Sequence, residues 1–123
     1  MSKVLIIEDS PTTRAVIKVY MVGHHLEFIE ATDGNEGLRM AKLHKPDVIV
    51  VDLKMPGMDG FTLCRSVRAD VNLKTTPVIL LTGSKGEAVK REALRAGATY
   101  FLTKPIDATS LAQHIMSCLE SRK

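Results

Sequence analysis

Five short apolar runs, separated by stretches of helical period, constrain this chain more than any other feature: Val4 to Ile7, Phe28 to Ala31, Val48 to Val51, Val78 to Leu81 and Tyr100 to Leu102. Strands that alternate with amphipathic helices imply βα units and a parallel sheet. The third and fourth runs, Val-Ile-Val-Val and Val-Ile-Leu-Leu, lack polar alternation, as strands covered by helices on both faces do. A length of 123 residues suits one core of ordinary size, so a single domain over 1–123 is expected. Met1 and the basic Ser-Arg-Lys end suit a complete protein, while a piece of a longer multidomain chain is the open alternative.

Helix punctuation divides the chain at the same points. Ser10-Pro11 offers an N-cap with proline at the first helical position, and Asp33 with Glu36 resembles a capping box. The second helix should end before Lys45-Pro46. Asp59 can cap a third helix with Phe61, Cys64 and Val67 on its apolar side, and Gly97 can terminate a fourth after Val89, Ala93 and Leu94. Asp107 can cap a last helix carrying Leu111, Ile115, Cys118 and Leu119.

Composition closes off several functions. Hydrophobic content of 45% with 25% charged residues describes a globular protein with material for a core. No apolar run approaches the ~20 residues that span a bilayer, and Met1-Ser2-Lys3 leads straight into the first run without a signal-peptide pattern; a cytoplasmic protein without a membrane partner is expected. Cys64 and Cys118 form no CxxC pair and read as buried free thiols, which implies neither a disulfide nor zinc. The net charge of +3 is dispersed and aromatics are 4%, which argues against direct DNA binding.

With right-handed crossovers, all strands of a parallel sheet point their C-terminal ends to one edge, where ligands bind. The residues that follow the runs are Glu8 and Asp9, then Asp52, then Thr82, and shortly after the fifth run Lys104. Carboxylates gathered there repel, at roughly 4 kcal/mol for a pair 4 Å apart, so a cation is required. Oxygen donors select a hard one. Mg²⁺, or Mn²⁺, suits Asp9, Asp52 and a backbone carbonyl near Lys54. With such an ion present Asp52 can act as a nucleophile towards a phosphoryl group and form an aspartyl phosphate. Lys104 can pair with one phosphoryl oxygen, the Thr82 hydroxyl can donate to another, and Gly83 leaves space.

At this point the chain resembles a response-regulator receiver domain, close to the stand-alone chemotaxis type. The marks are Glu8-Asp9, Asp52 within Val-Asp-Leu-Lys-Met-Pro-Gly-Met-Asp-Gly, Thr82-Gly83, and Lys104-Pro105, and the match covers residues 3 to 121. The resemblance implies a flavodoxin-like doubly wound fold, (βα)5, with strand order 2-1-3-4-5. It implies that Asp52 is the phosphoacceptor, Asp9 a direct metal ligand, Glu8 a ligand through water and Lys54 a backbone-carbonyl ligand. Thr82 and Lys104 sense the phosphate, the Lys104-Pro105 bond is cis, and Phe101 is the switch aromatic where tyrosine is commoner; Tyr100 should face the other way. Lys54 and Ser84 line the water's route to the acyl phosphate and set its lifetime. Such a protein catalyses only its own phosphorylation and dephosphorylation. Its phosphodonor is a sensor histidine kinase or phosphotransfer protein. Its output is a protein bound through the fourth helix, fifth strand and fifth helix, with Lys85, Lys90, Arg91 and Arg95 set against Glu87 and Glu92. It is a monomer or a phosphorylation-dependent dimer.

Three rivals share the fold. A flavodoxin would use Ser10-Pro11-Thr12-Thr13 to hold the phosphate of FMN, but Glu8 and Asp9 would repel it and there is no Trp to stack on a flavin. A Mg²⁺-dependent phosphatase would need a second acid and a cap, neither of which is evident. A pseudo-receiver would not need so complete a site. His24 and His25 read as an exposed helix end, and His44 and His114 as surface residues.

Overall fold

The computed structural model describes residues 1–121; the last two positions of the expected 1–123 domain lie outside the described residues. The elements follow strictly in alternation: β1 (Ser2–Ile7), α1 (Pro11–Tyr20), β2 (Leu26–Ala31), α2 (Gly34–His44), β3 (Val48–Asp52), α3 (Gly60–Ala69), β4 (Val78–Thr82), α4 (Glu87–Ala96), β5 (Tyr100–Thr103) and α5 (Ala108–Ser121). The strands pair in the order β2-β1-β3-β4-β5, every pair parallel. This is the flavodoxin-like doubly wound fold. Val4 pairs with Phe28 on one side and Val48 on the other, so β1 is the strand at which the chain reverses its winding direction.

The sheet divides two cores. Leu5, Ile7, Val51 and Leu80 pack with Ala41 of α2, Leu63, Cys64 and Val67 of α3, and Ala93 and Ala96 of α4. Val4, Ile6, Val50 and Ile79 pack with Ile17 of α1 and Leu111, Ile115 and Cys118 of α5. Every residue of β3 and β4 is buried, which is why their runs show no polar alternation. Both cysteines are buried and free. Burial pushes the Cys118 thiol up to about 11, so it behaves as an apolar side chain.

The expected caps are made. Ser10 accepts a hydrogen bond from the Thr13 amide, Asp59 from Thr62 and Asp107 from Ser110. Asp33 accepts from Glu36 N at 2.8 Å, while the Glu36 carboxylate reaches back to the Thr32 amide, one residue before the cap. Lys45 and Gly97 end α2 and α4 in the left-handed conformation, at φ 47° and 93°.

The surface reading of His114 and His44 needs correction, and Leu94 stands apart from the core of α4. Leu94 is 65% exposed, because the buried stripe of α4 runs through Val89, Ala93 and Ala96 and leaves Leu94 on the adjoining face. His114 is half-buried: its ring meets Tyr100 edge-on at 4.4 Å, and its Nδ1, 2.6 Å from the Ser110 carbonyl, donates to it. His44 is half-buried as well, whereas His24 and His25 are exposed just beyond α1. The Lys104-Pro105 peptide is cis, as the resemblance implied. Among the described residues no helix is long and apolar enough to cross a membrane.

The start of α3 is set close under the end of β3. The Gly60 amide donates to the Leu53 carbonyl at 2.9 Å, and a Cβ on Gly60 would sit 2.9 Å from both the Asp52 carbonyl oxygen and the Leu53 Cα. Backbone cannot swing aside as a side chain can. Gly60→Ala should therefore cost about 2 kcal/mol in urea unfolding. Gly83→Ala, where nothing lies within 4 Å, should stay within about 0.5 kcal/mol of the parent. Equal losses in the two variants would refute the close-approach account.

Candidate functional site

Three strand ends deliver the acids and the hydroxyl. Glu8 and Asp9 follow β1, Asp52 closes β3 and Thr82 closes β4, so β3 and β4 each run one residue past their apolar core into the site. Register ties the pieces together. Asp52 pairs with Leu81, the Leu53 amide donates to the Leu81 carbonyl, and the Lys104 amide donates to the Thr82 carbonyl at 2.7 Å. Lys104 thus leaves the sheet beside Thr82, and its ammonium lies 3.2 Å from Asp52 Oδ2 and 3.3 Å from Glu8 Oε1.

Carboxylate oxygens of Glu8, Asp9 and Asp52 lie within 4.8 Å of one another. Glu8 is 2% exposed and Asp52 6%, while Asp9 faces solvent. Buried like charges at this spacing are unfavourable without a counter-charge, and Lys104 is one ammonium against three carboxylates. Burial, more than any other influence, pushes the Glu8 carboxyl above its ordinary 4.5; a hydrogen bond with Asp9 and the charge of Asp52 add to the rise, and the Ser10 N–H and Lys104 oppose it. Burial pulls Lys104 down, but the charges of Asp52 and Glu8 outweigh it and leave the ammonium above 10.5. The Lys104 shift records the negative charge around it, whereas that of Glu8 records chiefly its burial.

The donor set is all oxygen, with neither sulfur nor imidazole, and one member is open to solvent; it fits Mg²⁺ or Mn²⁺. Lys54 lies exposed in the loop after β3, where its backbone follows Asp52 by two residues. Thr82 Oγ1 accepts from the Ser84 amide at 3.0 Å, which leaves the hydroxyl hydrogen to donate elsewhere. Gly83 and Ser84 are exposed beside it. Phe101 packs on the α2–α4 side of the sheet and Tyr100 on the α1–α5 side, where its hydroxyl lies 3.2 Å from Ser117 Oγ. The opposite orientation expected of the two rings is present. Phe101 is half-buried on its side of the sheet.

Two arginines left little trace in the sequence, Arg14 beside this arrangement and Arg68 at the opposite edge of the sheet. Arg14 of α1 donates to the Glu8 carbonyl at 2.7 Å and to Glu30 of β2 at 3.0 Å. Arg68 of α3 donates to the Gly97 and Thr76 carbonyls at 2.9 and 2.6 Å, tying the loops that precede β5 and β4. Both act on carbonyls, which side-chain spacing does not encode. The rival flavin reading loses ground here too: the Ser10 and Thr13 amides, which would have to face an FMN phosphate, already donate to Glu8 Oε2 and Ser10 Oγ.

Residues 4–116 match the family described as the response regulator receiver domain. The chain is 34% identical to Protein PilH of Pseudomonas aeruginosa over 119 residues, covering 97% of this chain and 98% of that one. It is 35% identical over 116 residues to the response regulator PleD of Caulobacter vibrioides, covering 94% of this chain but only 26% of PleD, so it spans about a quarter of that relative's length. Among solved structures, the receiver domain of the Pseudomonas aeruginosa sensor histidine kinase PA1611 superposes with a TM-score of 0.87 at 26% identity, over 97% of this chain and 98% of that one; that domain has a magnesium ion coordinated in its active site cleft.

Proposed function

Because the chain belongs to the response regulator receiver domain family, we propose that it is the phosphoryl-accepting switch of a two-component relay, one receiver domain over residues 1–123. Asp52 is the phosphoacceptor. A carboxylate oxygen of Asp52 attacks the phosphorus of a phosphohistidine on a histidine kinase or phosphotransfer protein; the new P–O bond forms as the P–N bond breaks, and the imidazole leaves. Asp9, Asp52 and the Lys54 carbonyl would hold Mg²⁺, with Glu8 acting through water, and when bound the ion would supply positive charge to the phosphoryl oxygens. The observation that carries this reading is the convergence of three carboxylates within 4.8 Å, two of them bridged by Lys104.

After transfer, Lys104 pairs with a phosphoryl oxygen and the Thr82 hydroxyl donates to another. Phe101 then moves into the space that Thr82 gives up. Lys54 and Ser84, exposed in the loops after β3 and β4, control the approach of water and so the lifetime of the acyl phosphate. The output is carried by α4, β5 and α5 to a cytoplasmic protein partner. Lys85, Lys90, Arg91 and Arg95 are all exposed, and Glu92 is engaged by Arg65 of α3 at 3.1 Å, so the surface left over is basic and favours an acidic partner.

The test uses acetyl phosphate as a small phosphodonor. With Mg²⁺, intact-mass spectrometry should show one added phosphoryl group, peptide mapping should place it on Asp52, and excess EDTA should prevent it. Label on another residue, or steady release of phosphate from phosphomonoesters through many turnovers, would replace this reading with a different one.

A further inference from the structure

We infer that Arg14 is a positioning residue for the acidic pocket, holding the Glu8–Asp9 peptide in the orientation that lets Asp9 reach a metal ion. The inference rests on reading Glu8, Asp9 and Asp52 as a metal site. Arg14 sits one turn into α1 with its side chain 16% exposed. Its Nη1 donates to the Glu8 carbonyl at 2.7 Å, shorter than most N–H···O bonds. That carbonyl and the Asp9 amide belong to one rigid peptide plane. Fixing the oxygen therefore fixes the direction in which the Asp9 Cα departs. The other end of Glu8 is held as well, its amide donating to the Ala31 carbonyl at 3.0 Å.

Arg14 is itself oriented. Its Nε donates to Glu30 Oε1 at 3.0 Å, and Lys18, one turn further along α1, takes Glu30 Oε2 at 2.9 Å. The hydrogen bond from Lys18, together with that from Arg14, holds the Glu30 carboxyl below its ordinary value and so keeps it charged. Glu30 lies opposite Ile6 in the β1–β2 register, next to the pair Ile7–Ala31 that ends the ladder. The fork of the guanidinium spans from β2 to the loop after β1, a reach that a single-point donor covers only in part.

The sign of one measurement separates positioning from charge. Arg14 is a cation near a cation site, so its removal by charge alone would tighten metal binding; loss of positioning would weaken it. Mn²⁺ affinity, read from the electron paramagnetic resonance of the free ion, should fall about 10-fold in Arg14→Ala, as for other residues that orient metal ligands. Arg14→Lys, which keeps a donor and the charge, should stay within roughly 3-fold, and Glu30→Gln, which weakens the hold on Arg14, should fall roughly 3-fold. Thermal unfolding without metal reports whether Arg14→Ala is folded, and the exposed Glu30 site supplies the test if it is not. Unchanged or tighter binding in Arg14→Ala, or in Glu30→Gln, overturns the positioning role. If the parent binds Mn²⁺ no better than Asp9→Asn, the metal reading falls and takes the inference with it.

Discussion

Asp52→Asn should abolish phosphoryl uptake from acetyl phosphate and, in the same variant, make the metal-free protein more stable. Both effects arise from the same oxygen atoms. An amide has no carboxylate oxygen with which to attack phosphorus, so intact-mass spectrometry should show no added phosphoryl group under conditions that fully label the parent. The stability effect follows from the charge count of the pocket. Asp52 is 6% exposed and shares one ammonium with the buried Glu8. Neutralising it removes repulsion from Glu8 and Asp9 and costs one contact with Lys104, which keeps its other partner at 3.3 Å. The repulsion is the larger of the two, because two like charges act against one opposite charge at comparable range. In EDTA the variant should melt about 4 °C above the parent, on the order of 1 kcal/mol. Millimolar Mg²⁺ should then raise the parent's melting temperature and barely move the variant's, since a ligand stabilises only the form that binds it. A variant less stable than the parent in EDTA would mean that Lys104, rather than repulsion, governs the pocket.

That balance shows which parts of the protein are readable from its residues and which are not. The apolar runs at Val48 and Val78 announce buried parallel strands, because a short unbroken apolar run leaves no face for solvent. Parallel strands in turn bring Glu8, Asp9, Asp52, Thr82 and Lys104 to one edge, so the composition of the site was legible before any distance was known. Strand ends were less so. Asp52 and Thr82 belong to β3 and β4, yet polarity marks them as lying outside a hydrophobic run; hydrogen bonding to neighbouring strands, not side-chain character, keeps them in the ladder. Contacts made through carbonyls were not legible at all. Arg14 and Arg68 look like ordinary helix-surface arginines in the sequence, and only the fold brings the Glu8, Gly97 and Thr76 carbonyls within their reach. His114 was misread for a similar reason: nothing local announces that Tyr100 will lie against it. Leu94 shows the limit of counting apolar residues on a helix, since one step around α4 separates a core position from solvent.

Lys104→Met is the complementary perturbation, and it should behave in the opposite sense. Removing the ammonium leaves Glu8 and Asp52 as buried carboxylates with no cation between them. Breaking a buried pair in this way commonly costs 3–5 kcal/mol; because Lys104 is one-third exposed, about 2 kcal/mol is expected in EDTA at neutral pH. The pH dependence fixes the cause. In the parent, the Glu8 carboxyl already titrates above 4.5 and the Lys104 ammonium above 10.5. A carboxyl with a raised pKa in the folded state binds its proton more tightly there than in the unfolded chain. Its folded state is therefore favoured in acid, and that advantage is lost as pH rises through the raised value. Without Lys104 the rise is larger, so the deficit of the variant should shrink as pH falls and Glu8 becomes neutral in the native state. The ammonium's own contribution is fully present below 10.5 and is lost as pH rises through its raised value, so the two proteins should converge again in strong alkali. Between those limits the gap should be widest. Mg²⁺ should close it at neutral pH and should bind the variant more tightly than the parent, since no ammonium then competes for Glu8 and Asp52. Urea denaturation of both proteins across pH, with and without Mg²⁺, measures all of this in one series. A gap that ignores both pH and metal would assign Lys104 a packing role and leave the electrostatic account of the pocket without support.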